Sequence, residues 1–360
     1  MAKVITILGI RPEIIKLSPI VPLLAQHCQH ILIHTGQHYS TEMDAIFFDE
    51  LDLPCPDYAL EIGSGPHGPQ TGRMLERIER VLSVEAPDAV IVQGDTNSTL
   101  AGALAASKLR LWTVHIEAGC RSFNRDMPEE LNRIVADHLA DCLLAPNDQA
   151  RDNLLCEGID PRRIYVAGST SIDACLRSYE YARELGLAGE LGLVPGQYVA
   201  LTIHRTENAS PEALPGIVAA INELAASWPF VFPMHPRTRA ALGGKHPFSA
   251  NVRVLEPLGH LETLSLLSQA RAVITDSGGL QEEAATLGVP LLIARWETEW
   301  AYLVNGGAAF LIGNTRDSIV ARATPLLRAR RNAFRPVDVS GQRGAAQRIT
   351  GIILDHASRA

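Results

Sequence analysis

Short apolar runs alternate with longer amphipathic stretches along most of the chain, and this alternation restricts the fold more than any other feature of the sequence. Val4–Leu8, His30–His34, Ala89–Val92, Leu111–Ile116, Cys142–Ala145 and Ile164–Val166 read as strands, with helical patterns such as Ile14–Gln26, Gln70–Glu85 and Thr99–Lys108 between them. Strands of this kind, apolar on both faces, belong to parallel sheets, and parallel neighbours need helical crossovers. A Gly/Pro-bearing break at Gly192–Gly196 precedes a second series: Tyr198–Ile203, Phe230–Pro233, Val252–Leu255, Ala272–Ile274 and Leu291–Ile293. The pattern predicts an α/β fold of two Rossmann-like domains facing a cleft, spanning residues 1–192 and 193–340. Residues 341–360 are predicted to be a terminal helix that packs back on the first domain. Ligands of such sheets bind beyond the carboxyl ends of the strands, so the informative polar residues should stand there.

A chain of 360 residues is long enough for two ordinary domains. Its net charge of −8 argues against a nucleic-acid partner. Six cysteines are scattered without a paired spacing, which suits reduced thiols better than a disulfide frame or a zinc site. No apolar run approaches the ~20 residues of a membrane span. The first residues enter a strand directly, without the charged and apolar regions of a signal peptide. A cytoplasmic protein with no membrane association is expected. No HExxH, GxSxG or GxxxxGK[ST] pattern occurs, so neither a metal, a serine nucleophile nor a P-loop is indicated.

The run Thr275-Asp276-Ser277-Gly278-Gly279-Leu280-Gln281-Glu282-Glu283 follows the strand Ala272–Ile274 and leads into a helical pattern. A strand, a Ser-Gly-Gly turn and a helix start make an anion site: free N–H groups and the helix dipole point at one spot, and the glycines admit a phosphate. Glu283, about one turn in, could accept hydrogen bonds from a ribose. The bland alternative is an ordinary Gly-rich turn. Arg11 and Lys16, after the first strand, could both face a diphosphate, or be solvated surface charges. Asp95 follows Ala89–Val92 and could be either a reactive carboxylate or a helix N-cap. Glu117 ends the strand Leu111–Ile116 beside a glycine, a poor place for a purely structural acid. Glu129, followed by Arg133, could join them or simply favour a helix dipole. Three carboxylates converging from neighbouring loops would push their pKa values apart, as acid/base work requires. His204-Arg205 and His235-Pro236-Arg237 put a second set of His and Arg residues at strand ends.

The order of motifs is specific where each alone is not. Gly9-Ile10-Arg11-Pro12-Glu13, Thr35-Gly36-Gln37-His38, Gly94-Asp95-Thr96, His115-Ile116-Glu117-Ala118-Gly119, Pro128-Glu129-Glu130-Leu131-Asn132-Arg133, Ser171-Ile172-Asp173-Ala174, His204-Arg205-Thr206-Glu207-Asn208, His235-Pro236 and the Thr275–Glu283 run occur in this sequence. From residue 3 to about residue 300, the chain closely resembles the non-hydrolysing UDP-N-acetylglucosamine 2-epimerases. The resemblance implies a GT-B-like fold, a homodimer, and inversion at carbon 2 to give UDP-N-acetylmannosamine. The implied route is elimination of UDP to 2-acetamidoglucal followed by re-addition, with no NAD, metal or other cofactor. It implies Asp95, Glu117, Glu129 and His204 as catalytic residues. Arg11, Lys16, Arg133, Arg205, Ser277, Gly278, Gly279 and Glu283 would hold the UDP-sugar. Gln37, Arg73, Arg205 and His235 match residues of an allosteric substrate site found in bacterial members.

The chain departs from the family's usual pattern in several places. Ile10 stands where Thr is common and Ser169 where Asn is common. Ser40 replaces a common allosteric-site Gln, and Gly63–Gln70 reads as a different loop. After Arg295 the run Thr298-Glu299-Trp300-Ala301-Tyr302 loses a proline and gains a bulky ring, which could alter or merely repack that loop. Four alternatives remain open at this level: a 2-epimerase of a related 2,3-diacetamido uronate, a hydrolysing epimerase, a GT-B glycosyltransferase, and a catalytically idle homologue.

Overall fold

The computed structural model describes residues 1–37, 47–244, 247–329 and 340–357. His38 and Ser40, singled out above, lie outside the described residues. The chain divides into two compact units, residues 1–174 with 339–360, and residues 175–338.

The first unit is built on seven parallel strands: β1 (Lys3–Leu8), β2 (Gln29–His34), β3 (Tyr58–Ala59), β4 (Ala89–Gln93), β5 (Thr113–Ile116), β6 (Cys142–Ala145) and β7 (Ile164–Val166), in the order β3-β2-β1-β4-β5-β6-β7. Strand β1 shows why the sheet needs helices on both faces. Val4 and Leu8 join one apolar cluster with Leu17, Leu24, Ile349 and Ile353. Ile5 and Ile7 join another with Met74, Ile78 and Leu82. Alternate side chains of a strand point to opposite faces, so both faces must be covered. The C-terminal helix Ala345–Ala357 supplies part of that cover. Asp173 fastens its start by accepting from the backbone N–H groups of Gly344 at 2.8 Å and Ala346 at 2.9 Å.

The second unit repeats the plan with six parallel strands: β8 (Val199–Thr202), β9 (Phe230–Pro233), β10 (Val252–Leu255), β11 (Ala272–Thr275), β12 (Leu291–Ile293) and β13 (Ala309–Leu311), in the order β10-β9-β8-β11-β12-β13. Leu201, Phe230, Phe232, Ile274 and Leu292 centre its core. Both units are therefore Rossmann-like and doubly wound, the arrangement of a GT-B-like protein.

Each sheet reverses its strand order once, between β1 and β4 in the first unit and between β8 and β11 in the second. That switch point opens a crevice beyond the strand ends, where ligands of doubly wound folds bind. One sequence expectation needs correction. Ile14–Gln26 is not a single helix but two, Arg11–Leu17 and Val21–His27. Pro19 has no N–H to donate to the preceding turn, so the first helix ends at Leu17, and Pro22 stands in the first turn of the second, where a missing donor costs nothing. β3 and β13 were absent from the strand pattern; at two and three residues they are too short to show periodicity.

Candidate active site

At the first switch point the β1 end, Gly9–Ile10, is tied to the β4 end by Glu13. Its carboxylate is buried and accepts from the N–H groups of Gly9 (2.6 Å) and Ile10 (3.1 Å) and from the hydroxyls of Thr96 (2.6 Å) and Thr99 (3.3 Å). Burial pushes its pKa up to about 7 against the pull of those four donors. Gly9 is obligatory here, since a Cβ would meet the Ser98 and Thr35 hydroxyls at 2.1 Å. Arg11 opens the next helix with its guanidinium over the Phe47 ring, 5.3 Å from the centroid.

Asp95 follows Gly94, which has φ +77°. The N-cap of the ensuing helix is Thr96, whose hydroxyl accepts from the Thr99 N–H. Asp95 is thus not needed as a cap, and its half-exposed carboxylate pairs with Arg133. Arg133 is buried, and its other end-nitrogen meets Glu130 at 2.9 Å. Asn132 donates to the Asp95 carbonyl at 2.9 Å, so the Pro128–Leu139 helix grips this turn twice. Glu129 is partly buried in the first turn of that helix, four residues before Arg133 and so on the same face. Glu130 differs from it: fully buried, it accepts from Ser122 N and Oγ and from Phe123 N, which fastens the loop before the helix.

Glu117 sits at the β5 end with φ +70°, a conformation uncommon outside glycine and often kept at functional sites. One of its carboxylate oxygens, Oε2, accepts from Lys16 Nζ at 2.6 Å and from Gln93 Nε2 at 2.8 Å. The other makes no side-chain hydrogen bond among the described residues. The sequence reading placed Lys16 beside Arg11 at a diphosphate; in the structure its ammonium meets this acid.

In the second unit, Asp276 occupies the equivalent bridging place. It is fully buried and accepts from His204 N (3.1 and 3.0 Å), Arg205 N (3.0 Å) and Asn208 Nδ2 (3.1 Å), with His204 Nδ1 at 3.2 Å. Burial works to raise its pKa, but the His204 ring and the backbone donors outweigh it and hold the carboxyl below its usual range. The His204 ring is thereby fixed by one nitrogen, and it tilts against His235 at 5.3 Å between centroids. His235 itself caps the next helix, accepting from Arg237 N at 3.1 Å.

Ser277, Gly278 and Gly279 form the turn into the Gly278–Thr286 helix, as the sequence predicted. The Ser277 side chain makes no capping bond, and nothing lies within 4 Å of a Cβ built on Gly279, so the turn is open on that side. Arg205 reaches the same turn: its Nε donates to the Asp276 carbonyl at 3.1 Å and its Nη2 meets Glu299 at 3.3 Å. Glu299 is also held by Arg295 at 2.8 Å. Trp300, the residue that departs from the family's run, is buried and donates from its indole to the Gly278 carbonyl at 3.0 Å. The bulky ring therefore repacks this loop against the glycine turn. Glu283 lies inside the helix, buried, with His260 Nδ1 3.8 Å away. Burial lowers the His260 pKa to about 4, so that ring is neutral.

Of the four residues matched to an allosteric site, Gln37 and Arg73 fall in the first unit and Arg205 and His235 in the second. Gln37 is engaged locally, accepting from Ser98 N and Oγ, while Arg73 is exposed on the Ile62 carbonyl. Sequence reasoning missed Glu13, Gln93, Asp137 and Asp276 as working residues. Glu13 and Asp276 both lay inside motifs already quoted. Their signal was a carboxylate adjoining a strand end with backbone N–H groups exposed beside it. Gln93 and Asp137 had no local signal, because their partners are distant in sequence.

The geometry gives one doubly wound unit an open glycine turn at a helix start and the other a cluster of carboxylates with cationic partners. The chain matches the family model described as UDP-N-acetylglucosamine 2-epimerase over residues 24–354. It is 44% identical to the UDP-N-acetylglucosamine 2-epimerase of Methanocaldococcus jannaschii, over 98% of both chains. A crystal structure of the M. jannaschii enzyme in complex with UDP-GlcNAc and UDP superposes with a TM-score of 0.90, covering 98% of this chain and 99% of that one. The chain is also 45% identical to the UDP-2,3-diacetamido-2,3-dideoxy-D-glucuronate 2-epimerase of Pseudomonas aeruginosa, over 89% of this chain and 91% of that one. The chain belongs to the UDP-N-acetylglucosamine 2-epimerase family, a family of isomerases. Among the described residues no helix is long and apolar enough to cross a membrane.

Proposed function

We propose that this protein interconverts UDP-N-acetylglucosamine and UDP-N-acetylmannosamine without hydrolysis. A base removes the carbon-2 proton, the electron pair forms the C1=C2 bond of 2-acetamidoglucal, and the C1–O bond to UDP breaks. UDP then re-adds at C1 while an acid returns a proton to the opposite face of carbon 2. Asp95, Glu117 and Glu129 are the acid/base candidates. Ser277, Gly278, Gly279, Arg11 and Arg205, with His204 oriented by Asp276, would stabilise the departing diphosphate. Glu283 would take the ribose. Lys16 and Arg133 act in this reading as partners that hold Glu117 and Asp95 in place. No cofactor takes part. A cytoplasmic homodimer is expected, and sedimentation equilibrium would test the stoichiometry.

The observation that carries the reading is Glu117: a carboxylate at a switch-point strand end, gripped through one oxygen by a lysine and an amide, with the other oxygen left for substrate. Proton NMR in deuterated water tests it. UDP-N-acetylmannosamine carrying deuterium at carbon 2, with little free sugar, is the expected product. Free N-acetylmannosamine with UDP would instead mark a hydrolysing enzyme, and UDP release only with an added acceptor would mark a transferase. Glu117→Gln and Asp95→Asn should each lose about 10²–10⁴-fold in kcat, the usual contribution of a positioned acid or base. Wild-type turnover in both variants would sink the assignment.

A second reading, a 2-epimerase of the 2,3-diacetamido uronate, has its own support in the 45% identity to the P. aeruginosa enzyme, level with the 44% to the M. jannaschii one. The same deuterium experiment run on both UDP-sugars separates them by relative kcat/KM.

A further inference from the structure

We propose that His115 is a protonated strut that holds the Gly94–Asp95 turn and the Glu117–Gly119 turn in place, and so is a positioning residue for the two carboxylates. The inference rests on the catalytic reading of Asp95 and Glu117 above. His115 lies in β5, completely buried, two residues before Glu117. Its Nε2 stands 2.7 Å from the carbonyl oxygen of Gly94, the residue before Asp95. A carbonyl only accepts, so Nε2 must carry a proton. Its Nδ1 stands 2.7 Å from Asp137 Oδ1 on the Pro128–Leu139 helix.

Asp137 is a carboxylate: its other oxygen meets Gly119 N at 3.1 Å and the Arg121 guanidinium at 2.7 Å, and although burial works to raise its pKa, His115 and Arg121 outweigh that and hold it below the usual carboxylate value. Nδ1 therefore donates as well, and a ring that donates from both nitrogens is an imidazolium. Burial opposes the charge, but Asp137, through its charge and hydrogen bond, and the Gly94 carbonyl raise the His115 pKa above its usual value, with Arg121 pulling the other way. Arg121 is in turn satisfied by a two-pronged contact with Glu157, both arms at 2.7 Å. The charges facing His115 are thus Asp137 from the helix and Arg121 from the loop after β5, with Glu157 behind Arg121.

The consequence is mechanical. One cation joins the β4 end, the β5 end and the helix that carries Glu129 and Arg133. A neutral ring could keep only one of its two bonds. An ordinary core histidine would need neither the carboxylate nor the second acceptor, and a buried charge this costly calls for a return.

The test uses full-length protein labelled with ¹⁵N-histidine. In the wild type both His115 ring nitrogens should stay protonated from pH 6 to pH 9. In Asp137→Asn the ring should become neutral at pH 8, the amide resonances of residues 94–96 and 117–119 should shift together, and kcat should fall at least ten-fold with KM changed less than three-fold. If Asp137→Asn does not fold, His115→Gln should show the same split of kcat from KM. A neutral His115 in the wild type at pH 7, or a neutral ring with wild-type kcat in the variant, would overturn the proposal. Should Glu117→Gln and Asp95→Asn prove fully active, the catalytic reading falls by itself. The ring nitrogens and the linked amide shifts would still report whether the strut exists.

Discussion

The two switch points solve one structural problem with opposite electrostatics. In each unit, the ends of the two strands that flank the reversal are tied by a single buried carboxylate: Glu13 joins β1 to β4, and Asp276 joins β8 to β11. Both accept at least four contacts, two of them from backbone N–H groups. Yet burial pushes Glu13 up to about 7, while Asp276 is held below its usual range. The partners make the difference. Glu13 sees only neutral donors, which reduce the cost of burying its charge without removing it. Asp276 has the His204 ring against it, and a group able to carry opposite charge reverses the balance. The comparison teaches that hydrogen bonds alone locate a buried carboxylate, whereas a charged partner commits it to one protonation state. In the proposed reading the committed one stands where a histidine is held for a diphosphate.

The strongest way to break the comparison is to remove the committed group. Asp276→Asn places an amide among three N–H donors and takes the counter-charge from His204. Leaving the buried N–H donors around Asp276 without their carboxylate costs about 1–3 kcal/mol. Denaturant unfolding should show the second unit losing stability on that scale, and KM for the UDP-sugar should rise. An unchanged midpoint would mean that Asp276 only fills space.

Glu13 gives the next largest effect, and it has a distinctive pH signature. Its folded pKa of about 7 lies above the ordinary glutamate value of 4.5, so the folded state binds the proton more tightly. The stability this gives is fully present below pH 4.5 and is lost as pH rises to about 7, by up to ~3 kcal/mol. Asp276 has the opposite sign: its contribution is present above the unfolded carboxylate value and is lost only as pH falls through its lowered folded value. Urea titrations at pH 5 and pH 7.5 should therefore find the wild type losing up to ~3 kcal/mol relative to Glu13→Gln at the higher pH, because the buried histidines that favour the higher pH, such as His260, act equally in both proteins. A difference between the two proteins that stays constant with pH would assign the linkage to another group.

These two carboxylates also mark the limit of what was legible in the sequence. Strand and helix alternation is periodic and local, so both sheets could be read, with β6, β7, β9, β10 and β12 at their observed bounds. The Ser277–Gly279 turn was legible because strand, glycines and helix are contiguous. Asp95 and Glu117 could be found because strand ends are where a doubly wound sheet puts its ligands. Their companions could not. Lys16 reaches Glu117 across 101 residues and Arg133 reaches Asp95 across 38, and such pairings exist only once the sheet order is set. Glu13 shows a subtler failure: a first-turn helix acid is ordinary in sequence, and only its burial against the β1 end gives it a role. The division near residue 174 was equally hidden, because it falls within the continuous helix Thr170–Ala182, not at a Gly/Pro break.

The smallest effect separates the glycines of the two switch points. Gly9 and Gly279 both follow a strand and both precede or begin a helix, but they are glycine for different reasons. At Gly9 a Cβ would overlap the Ser98 and Thr35 hydroxyls at 2.1 Å, and those hydroxyls are bonded to each other at 2.7 Å in the core. Gly9→Ala is overpacking, which costs about 1–3 kcal/mol of stability whatever the ligand. At Gly279 nothing lies within 4 Å, so the protein itself gives no reason for the missing side chain. In the proposed reading the reason is what approaches from outside: a diphosphate drawn to the helix start would need that space. Gly279→Ala should leave the unfolding midpoint unchanged while weakening UDP binding about ten-fold, roughly 1.4 kcal/mol, in a calorimetric titration. Equal UDP affinity in Gly279→Ala and wild type would move the diphosphate off this turn and leave the second switch point without its ligand.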